Sequence, residues 1–414
     1  MEPKPFPERE QMLLPLLGVL QSAGGTLAAG DAIAQVAEVM RIPRDIRDNF
    51  ETKDCGRWGL RNRSAFRQEV HWARFLGTRP GYVTSAGYGR WQLTDRGTDA
   101  LANAKPGVIV TVWETPSGEV LWADAVSAAA HLQPNSLNLV FTSPPYKLIT
   151  GRKYGRYTES ELISLIVSSA RGWKDALTED GSIILNFKDC WEAGMPVRSL
   201  YQERLLLALH DELSLFCADK FVWNNPSHGP DSAWVTVRKV RTNCAHENLF
   251  WLSKTPNPKA RPERVMVPAK QSTIDTYLRR ARRGALQTGV GPSKHNTHYE
   301  EQAARVVAGE QIKVTARNII EVSNADTHKK FREDLRALKL EDHDAMMPLK
   351  LAEWFIQLTT DAGDHVYDPF WGAGTTGLAA SRLGRIFSGS ERSLSHVISS
   401  SLRFEEVRFK PLAA

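Results

Sequence analysis

Four consecutive residues, Ser143, Pro144, Pro145 and Tyr146, follow an apolar run, LNLVF, that reads as a buried strand. Proline fixes φ and carries no N–H, so two in succession end the strand and leave a rigid turn. The turn offers acceptors, its prolines donate nothing, and an aromatic ring closes it. A second cluster lies far downstream in HVYDPFWGAGTTGLAASRLGRIFSGSE. Its glycines 372, 374 and 377 sit between a predicted strand and a predicted helix. That spacing fits a turn whose backbone approaches a nucleotide-like ligand, and equally a helix packed closely on a strand. Asp368 ends the strand before the glycines. Glu391 ends the next strand, near the spacing at which a carboxylate accepts both hydroxyls of a ribose.

Holding these clusters together requires a sheet. After residue 120, strand patterns (LNLVFTSPPY, GSIILNF, CADKFVWNN, HENLFWLSK) alternate with helical ones (YTESELISLIVSSARGWKDAL, RLLLALHDELSLF). This alternation predicts an α/β fold with helices on both faces of one sheet. It breaks over about 255–342, a basic stretch with Pro and Gly that is too long for an ordinary loop and is expected to be functional or an inserted subdomain. It resumes with LKLAEWFIQLTT, DHVYDPF, TTGLAASRLG and RIFSGSE. The break contains Arg279, Arg280, Arg282, Arg283 and Lys294, a run that suits phosphates and equally a solvated helix face. NAKPGVIVTVWETPSGEVLWADAV reads as a linker and a hairpin turned at Pro116, Ser117 and Gly118. The first 105 residues carry three helical patterns, the third opened by Ser64 as N-cap, then a hairpin and a short helix. That order is a winged helix, serving DNA or, alternatively, a protein contact.

Composition narrows the class. A chain of 414 residues, 42% hydrophobic, can bury a full core and hold two or three domains. The net charge of +6 is modest evidence for a polyanionic partner. Cys55, Cys190, Cys217 and Cys244 form no C-x-x-C pair, which predicts free thiols in a reducing cytoplasm and neither a zinc site nor a disulfide framework. No apolar run reaches the length of a membrane span, and no signal-peptide pattern opens the chain.

DPFWGAGTT resembles the cofactor motif of DNA amino-methyltransferases, usually D-P-F-x-G-x-G-T-T, and TSPPY resembles their catalytic motif. DHDAMMPLKLAEWF is similar to the family's H-P-A-x-F-P segment, with Asp344 and Met347 in place of the expected Pro and Phe. Catalytic motif first, basic segment second and cofactor motif third is the order of the permuted β arrangement. The resemblance implies a Rossmann-like methyltransferase fold over residues 106–414, with a catalytic half at about 120–254, target recognition at 255–342 and a cofactor half at 343–405. It implies S-adenosylmethionine as cofactor, held by Thr142, His343, Pro348, Asp368, Pro369, Phe370, Gly372, Gly374, Thr375, Thr376 and Glu391.

Cytosine's exocyclic amine is a poor nucleophile until it becomes more tetrahedral, and acceptors beside its N–H bonds assist that change. In the resemblance Ser143 and the Pro144 carbonyl are those acceptors, and Tyr146 stacks on a base turned out of the helix. Serine at the head of the motif is associated with cytosine N4, an acidic residue with adenine N6, which stays open as an alternative. So does an inactive DNA-binding regulator on the same scaffold. Carbon-5 chemistry is disfavoured because no cysteine follows a proline. Arg152, Lys153 and Arg156 are placed to touch phosphates, whereas Asn186, Lys188 and Asp189 are candidates to line the pocket. His246 and Glu247 read as structural. Residues 1–105, notably HWARFLGTRPGYV and GRWQLTDRG, resemble the N-terminal domain of Mrr-type restriction-associated proteins. The implied partners are double-stranded DNA and a cognate restriction endonuclease, the chain acting as a monomer or homodimer. The pocket is expected to lie wholly after residue 105.

Overall fold

The computed structural model describes residues 5–55, 60–146, 157–227, 229, 232–286, 294–324, 328–343 and 345–411. It divides into two compact units, residues 1–259 with 319–414, and residues 260–318.

In the larger unit, ten strands form one sheet. Its spatial order runs Ile319–Glu321, Phe216–Asn224, His246–Ser253, Leu177–Phe187, Leu137–Thr142, His365–Asp368, Ile386–Glu391, Gly118–Ala123, Ile109–Thr115, Arg408–Phe409. The five strands from Leu177–Phe187 to Gly118–Ala123 are mutually parallel. Strand His246–Ser253 enters antiparallel to its two neighbours. Parallel strands are covered on both faces, so they read as continuous apolar runs rather than alternating ones. Successive side chains still serve opposite faces. Val140, Ile183 and Leu185 pack with Leu162, Ile166 and Trp173 of helix Glu159–Ala176. Phe141 meets Phe355 of helix Leu349–Thr359, ring centres 5.5 Å apart. The hairpin at Ile109–Ala123 is not a free-standing linker element. Its second strand pairs with Ile386–Glu391 and extends the sheet beyond the glycine turn.

Residues before 105 form helices Arg9–Ser22, Ala29–Val39 and Ala65–Thr78. The third is capped as expected: Ser64 Oγ accepts from the Arg67 N–H at 3.3 Å. A three-stranded sheet (Thr26–Ala28, Arg90–Leu93, Val83–Ser85) supplies the wing. An additional hairpin, Phe50–Asp54 with Leu60–Ser64, was not legible in the sequence. Helix Arg9–Ser22 is buried along most of its length because it packs on the later domain as well as on its own. Gln11 Nε2 donates to the Phe409 carbonyl, and the Ala104 N–H to the Arg392 carbonyl. A Cβ on Gly18 would lie 2.6 Å from Ile398 Cγ1, so glycine permits this helix to reach helix Leu394–Ser400.

The smaller unit is narrower than the 255–342 break, because Ile319–Glu321 belongs to the large sheet. Its described residues include helices Gln271–Leu286 and Lys294–Val307, a short 3-10 turn at Pro262–Val265 and a two-stranded ribbon, Val267–Pro268 with Lys313–Val314.

Gly18→Ala should destabilise the protein by about 1–3 kcal/mol through overpacking against Ile398. Gly30→Ala, where the added carbon meets nothing within 4 Å, should leave stability unchanged or raised. Urea unfolding of both variants checks the pair.

Candidate active site

The carboxyl ends of the central parallel strands open on one cavity of about 490 Å³. Its wall contains Ser143, Pro144, Pro145 and Tyr146 from one strand end and Asp368, Pro369, Phe370 and Gly372 from the next. Thr375, Thr376, Glu391 and His343 also line it. The two sequence clusters therefore share a single site. Three expected ligand residues lie off the wall. Thr142 is fully buried and donates to Asp368 Oδ1 at 2.6 Å, so it touches the wall only through that carboxylate. Pro348 is buried as the N-cap of helix Leu349–Thr359, and neighbouring Met346 and Met347 face the cavity instead. Gly374 caps helix Thr375–Arg382 at φ 72°, a conformation that favours glycine.

The third glycine of the motif has a packing role. Trp371 lies beneath the turn, its Nε1 donating to Ser400 Oγ at 2.9 Å, in a cluster with Phe387 and Phe404, whose rings also touch each other. A Cβ on Gly377 or Gly389 would fall into the Trp371 ring. Gly372, at φ 50°, sends its N–H to Glu391 Oε2 at 2.9 Å, while Ser393 N–H reaches Oε1 at the same distance. Glu391 is thus held at the rim by two backbone donors, with lone pairs remaining for a ligand. Asp368 accepts from Thr142 and from the Phe370 N–H, yet burial pushes its carboxyl up to about 6.

Residues 143–146, the proline turn on the other side of the cavity, form a clamp in which Tyr146 is anchored by its hydroxyl. Ser143 Oγ lies 2.6 Å from Tyr146 Oη, which donates to Glu247 Oε2 at 3.0 Å. Asn186 Nδ2 donates to both Tyr146 Oη (3.0 Å) and Glu247 Oε2 (2.7 Å). Glu247, read from sequence as structural, is a buried carboxyl wired to the clamp, and burial raises its pKa. When Glu247 is ionised it can only accept, and the Tyr146 proton then points at it. Asn186 fills one tyrosine lone pair, and Ser143 must give its own proton to the other. Both serine lone pairs then remain for another donor. Nothing in the sequence linked Glu247 to Tyr146, because strand pairing alone brings them together. Asp189 turns the other way, accepting from Gln202 Nε2 at 2.7 Å.

The cavity is not confined to the later domain. Gln21, Ala102 and Asn103 from the winged helix line it, as does Asp124 at the end of strand Gly118–Ala123. Gln21 Oε1 and Asp124 Oδ2 are buried acceptors without a partner among the described residues. Asp124 carries an N-cap signal, its Oδ1 accepting from the Val126 and Ser127 N–H groups. A close-approach glycine turn, a rim carboxylate and partnerless acceptors fit a nucleoside-bearing cofactor.

In the smaller unit Arg279, Arg280 and Arg282 are exposed. Arg280 lies over the Tyr299 ring at 4.8 Å and bonds its hydroxyl, so part of its role is to join the two helices. Arg152, Lys153 and Arg156 lie outside the described residues, as do the side chains of Arg283 and Lys294.

A parallel sheet with a glycine turn, an acidic next strand end and a proline clamp at the adjoining strand end defines a Rossmann-like methyltransferase. The chain belongs to the DNA methylase family, whose profile matches residues 137–400, and the Mrr N-terminal domain profile matches residues 10–103. It is 30% identical over 300 residues to the type II methyltransferase M.PvuII of Proteus hauseri, covering 70% of this chain and 85% of that protein. To the type II methyltransferase M.BglII of Bacillus subtilis it is 23% identical over 272 residues, covering 65% of this chain and 63% of that protein. The solved structure of the PvuII DNA methyltransferase (cytosine-N4-specific) superposes with a TM-score of 0.54 at 27% identity, over 73% of this chain and 89% of that one. No described helix is long and apolar enough to cross a membrane.

Because folding raises the Asp368 pKa from 3.8 to about 6, the native state holds a proton that the unfolded chain releases between those values. Stability from this group is therefore lost as pH rises through that window. Asp368→Asn, which keeps the acceptor for Thr142, should gain on the wild type by up to about 3 kcal/mol between pH 4 and 7. Urea unfolding across that range checks it; a difference independent of pH would mean an ordinarily ionised carboxylate.

Proposed function

We propose that the protein is a site-specific DNA methyltransferase that transfers the methyl group of S-adenosylmethionine to the N4 amine of cytosine in duplex DNA. The observation that carries this reading is the serine-headed clamp on the wall of the same cavity as the glycine turn. The relationship to M.PvuII and to the cytosine-N4-specific PvuII structure supports the base assignment.

Order along the sheet edge supports one reading of the subsites. Clamp, Asp368, Glu391 and Asp124 occupy successive strand ends. Glu391 takes the ribose hydroxyls, Asp124 lies beyond it toward the nucleobase end, and Asp368 offers negative charge near the clamp. When bound, S-adenosylmethionine supplies an electrophilic methyl on a sulfonium. Ser143 Oγ and the Pro144 carbonyl accept from the two N–H bonds of the target amine, freeing its lone pair from conjugation and aiming it across the cavity. Glu247 keeps Ser143 an acceptor by holding the Tyr146 proton. The same chain gives the amine's proton a route through Ser143 and Tyr146 to Glu247, whose raised pKa suits it to receive one.

Arg279 and Arg282 hold phosphates of the duplex. The chain works in the cytoplasm beside a restriction endonuclease of the same specificity, a role in keeping with its type II relatives.

Ser143→Ala should lower turnover by roughly 10²–10³ with cofactor affinity unchanged. Glu247→Leu lets the Tyr146 proton turn to Ser143, which then presents its own proton to the amine. It should cost roughly tenfold or more in turnover, and Glu247→Gln, which keeps an acceptor, should restore part of it. Turnover of the wild type should fall with acid at a pH above the ordinary glutamate range, and the Gln variant should lack that limb. Labelled methyl transfer to duplex DNA reads all three; full activity of Ser143→Ala would remove the clamp from the mechanism.

Replacing Arg279 and Arg282 together by Gln should flatten the salt dependence of DNA binding, by a slope of roughly 2 if each meets one phosphate. An unchanged slope in a binding titration would assign both residues to solvent.

A further inference from the structure

Next to Glu247 in the chain, the start of strand His246–Ser253 meets the end of strand Leu177–Phe187. Three side chains converge there that the methyl-transfer machinery does not use. His246 Nδ1 lies 3.7 Å from Cys244 Sγ, and its Nε2 lies 3.9 Å from Asp189 Oδ2. One donor atom from each of the three residues lies within 4.8 Å of the other two. All three are partly exposed, so an ion has a way in.

We propose that Asp189, Cys244 and His246 bind one divalent transition-metal ion, zinc by chemistry, with a fourth position left to water. Thiolate, imidazole and carboxylate are the three donor types that zinc accepts, and the thiolate disfavours magnesium and calcium. Metal–ligand bonds of about 2.0–2.3 Å in tetrahedral geometry place donor atoms roughly 3.3–3.6 Å apart. From within 4.8 Å of one another the donors must close by up to about 1 Å, and the half-exposed imidazole, whose two nitrogens face different partners, must turn to offer a single one. Cys244 gives up its thiol proton to solvent on binding.

The support behind Asp189 strengthens the case. Gln202, 1% exposed, donates to Asp189 Oδ1 and is itself held through Oε1 by Asn248 Nδ2 at 2.9 Å. Asp189 is thereby fixed with its other oxygen toward His246. A buried amide orienting a carboxylate is the kind of outer support that ligating carboxylates receive. The ion would tie residues 244–246 to the neighbouring strand end and so steady Glu247. This inference stands on the cluster alone and not on the base assignment.

Metal-stripped full-length protein titrated with cobalt(II) should show a thiolate-to-cobalt charge-transfer band that saturates at one ion per chain. Cys244→Ser should abolish the band, His246→Ala and Asp189→Asn should weaken binding at least about tenfold, and Gln202→Leu by about 10–100-fold. Cys190→Ser should change nothing. Absence of a band in the wild type, a band that survives Cys244→Ser, or affinity indifferent to His246 and Asp189 would each overturn the site. X-ray absorption of the zinc-loaded wild type needs no variant: one sulfur near 2.3 Å is expected, and a shell without sulfur refutes the proposal.

Discussion

The hydrogen bond from Thr142 to Asp368 joins residues 226 positions apart in the chain and closes the site. Both sit at the carboxyl ends of adjacent parallel strands, Leu137–Thr142 and His365–Asp368. One residue beyond Thr142 the clamp begins, and one beyond Asp368 the glycine turn begins. A displacement of either strand would part the clamp from the turn, so this short contact holds the two at a fixed separation. It also costs something. A carboxyl buried at that depth is held near pKa 6 even with two donors beside it, a penalty that a bound cation would offset.

Around that junction, shape is set by Trp371. The indole fills the space beneath the turn and needs three neighbours without a β-carbon, Gly374, Gly377 and Gly389, to lie where it does. Two of the glycines that look like ligand contacts in the sequence are also, or only, contacts for this ring. On the far side Arg403 braces the turn, donating to the Ala373 carbonyl and Thr375 Oγ1 at 3.0 Å each. The winged helix adds the last wall. Helix Arg9–Ser22 packs on helix Leu394–Ser400 through Gly18, which brings Gln21 to the cavity. The expectation of a pocket independent of the first hundred residues fails because a glycine in a helix carries no sign of what it packs against.

Much of the remainder was legible for definite physical reasons. Buried parallel strands are apolar on both faces, so LNLVF and HVYD stand out, and the prolines and glycines after them mark where each chain leaves the sheet. Ser64 declared its helix by capping it. The acidic strand end at Glu391 followed from spacing. What could not be read depends on contacts between distant segments. Glu247 reaches Tyr146 only because strand His246–Ser253 inserts antiparallel beside Leu177–Phe187. The Cys244, His246 and Asp189 cluster arises from the same pairing, and a search for cysteine pairs passes over it. The inserted unit was legible as an interruption, but Ile319–Glu321 returned to the sheet too briefly to be seen as a strand.

The central claim is that clamp and glycine turn form one site that methylates the N4 amine of cytosine. Its most direct test is the identity of the product. Duplex DNA incubated with the protein and S-adenosylmethionine carrying a labelled methyl group should be digested to nucleosides and resolved by chromatography with mass detection. The account predicts that the label is recovered as N4-methyldeoxycytidine. Label recovered as N6-methyldeoxyadenosine or as 5-methyldeoxycytidine would contradict it.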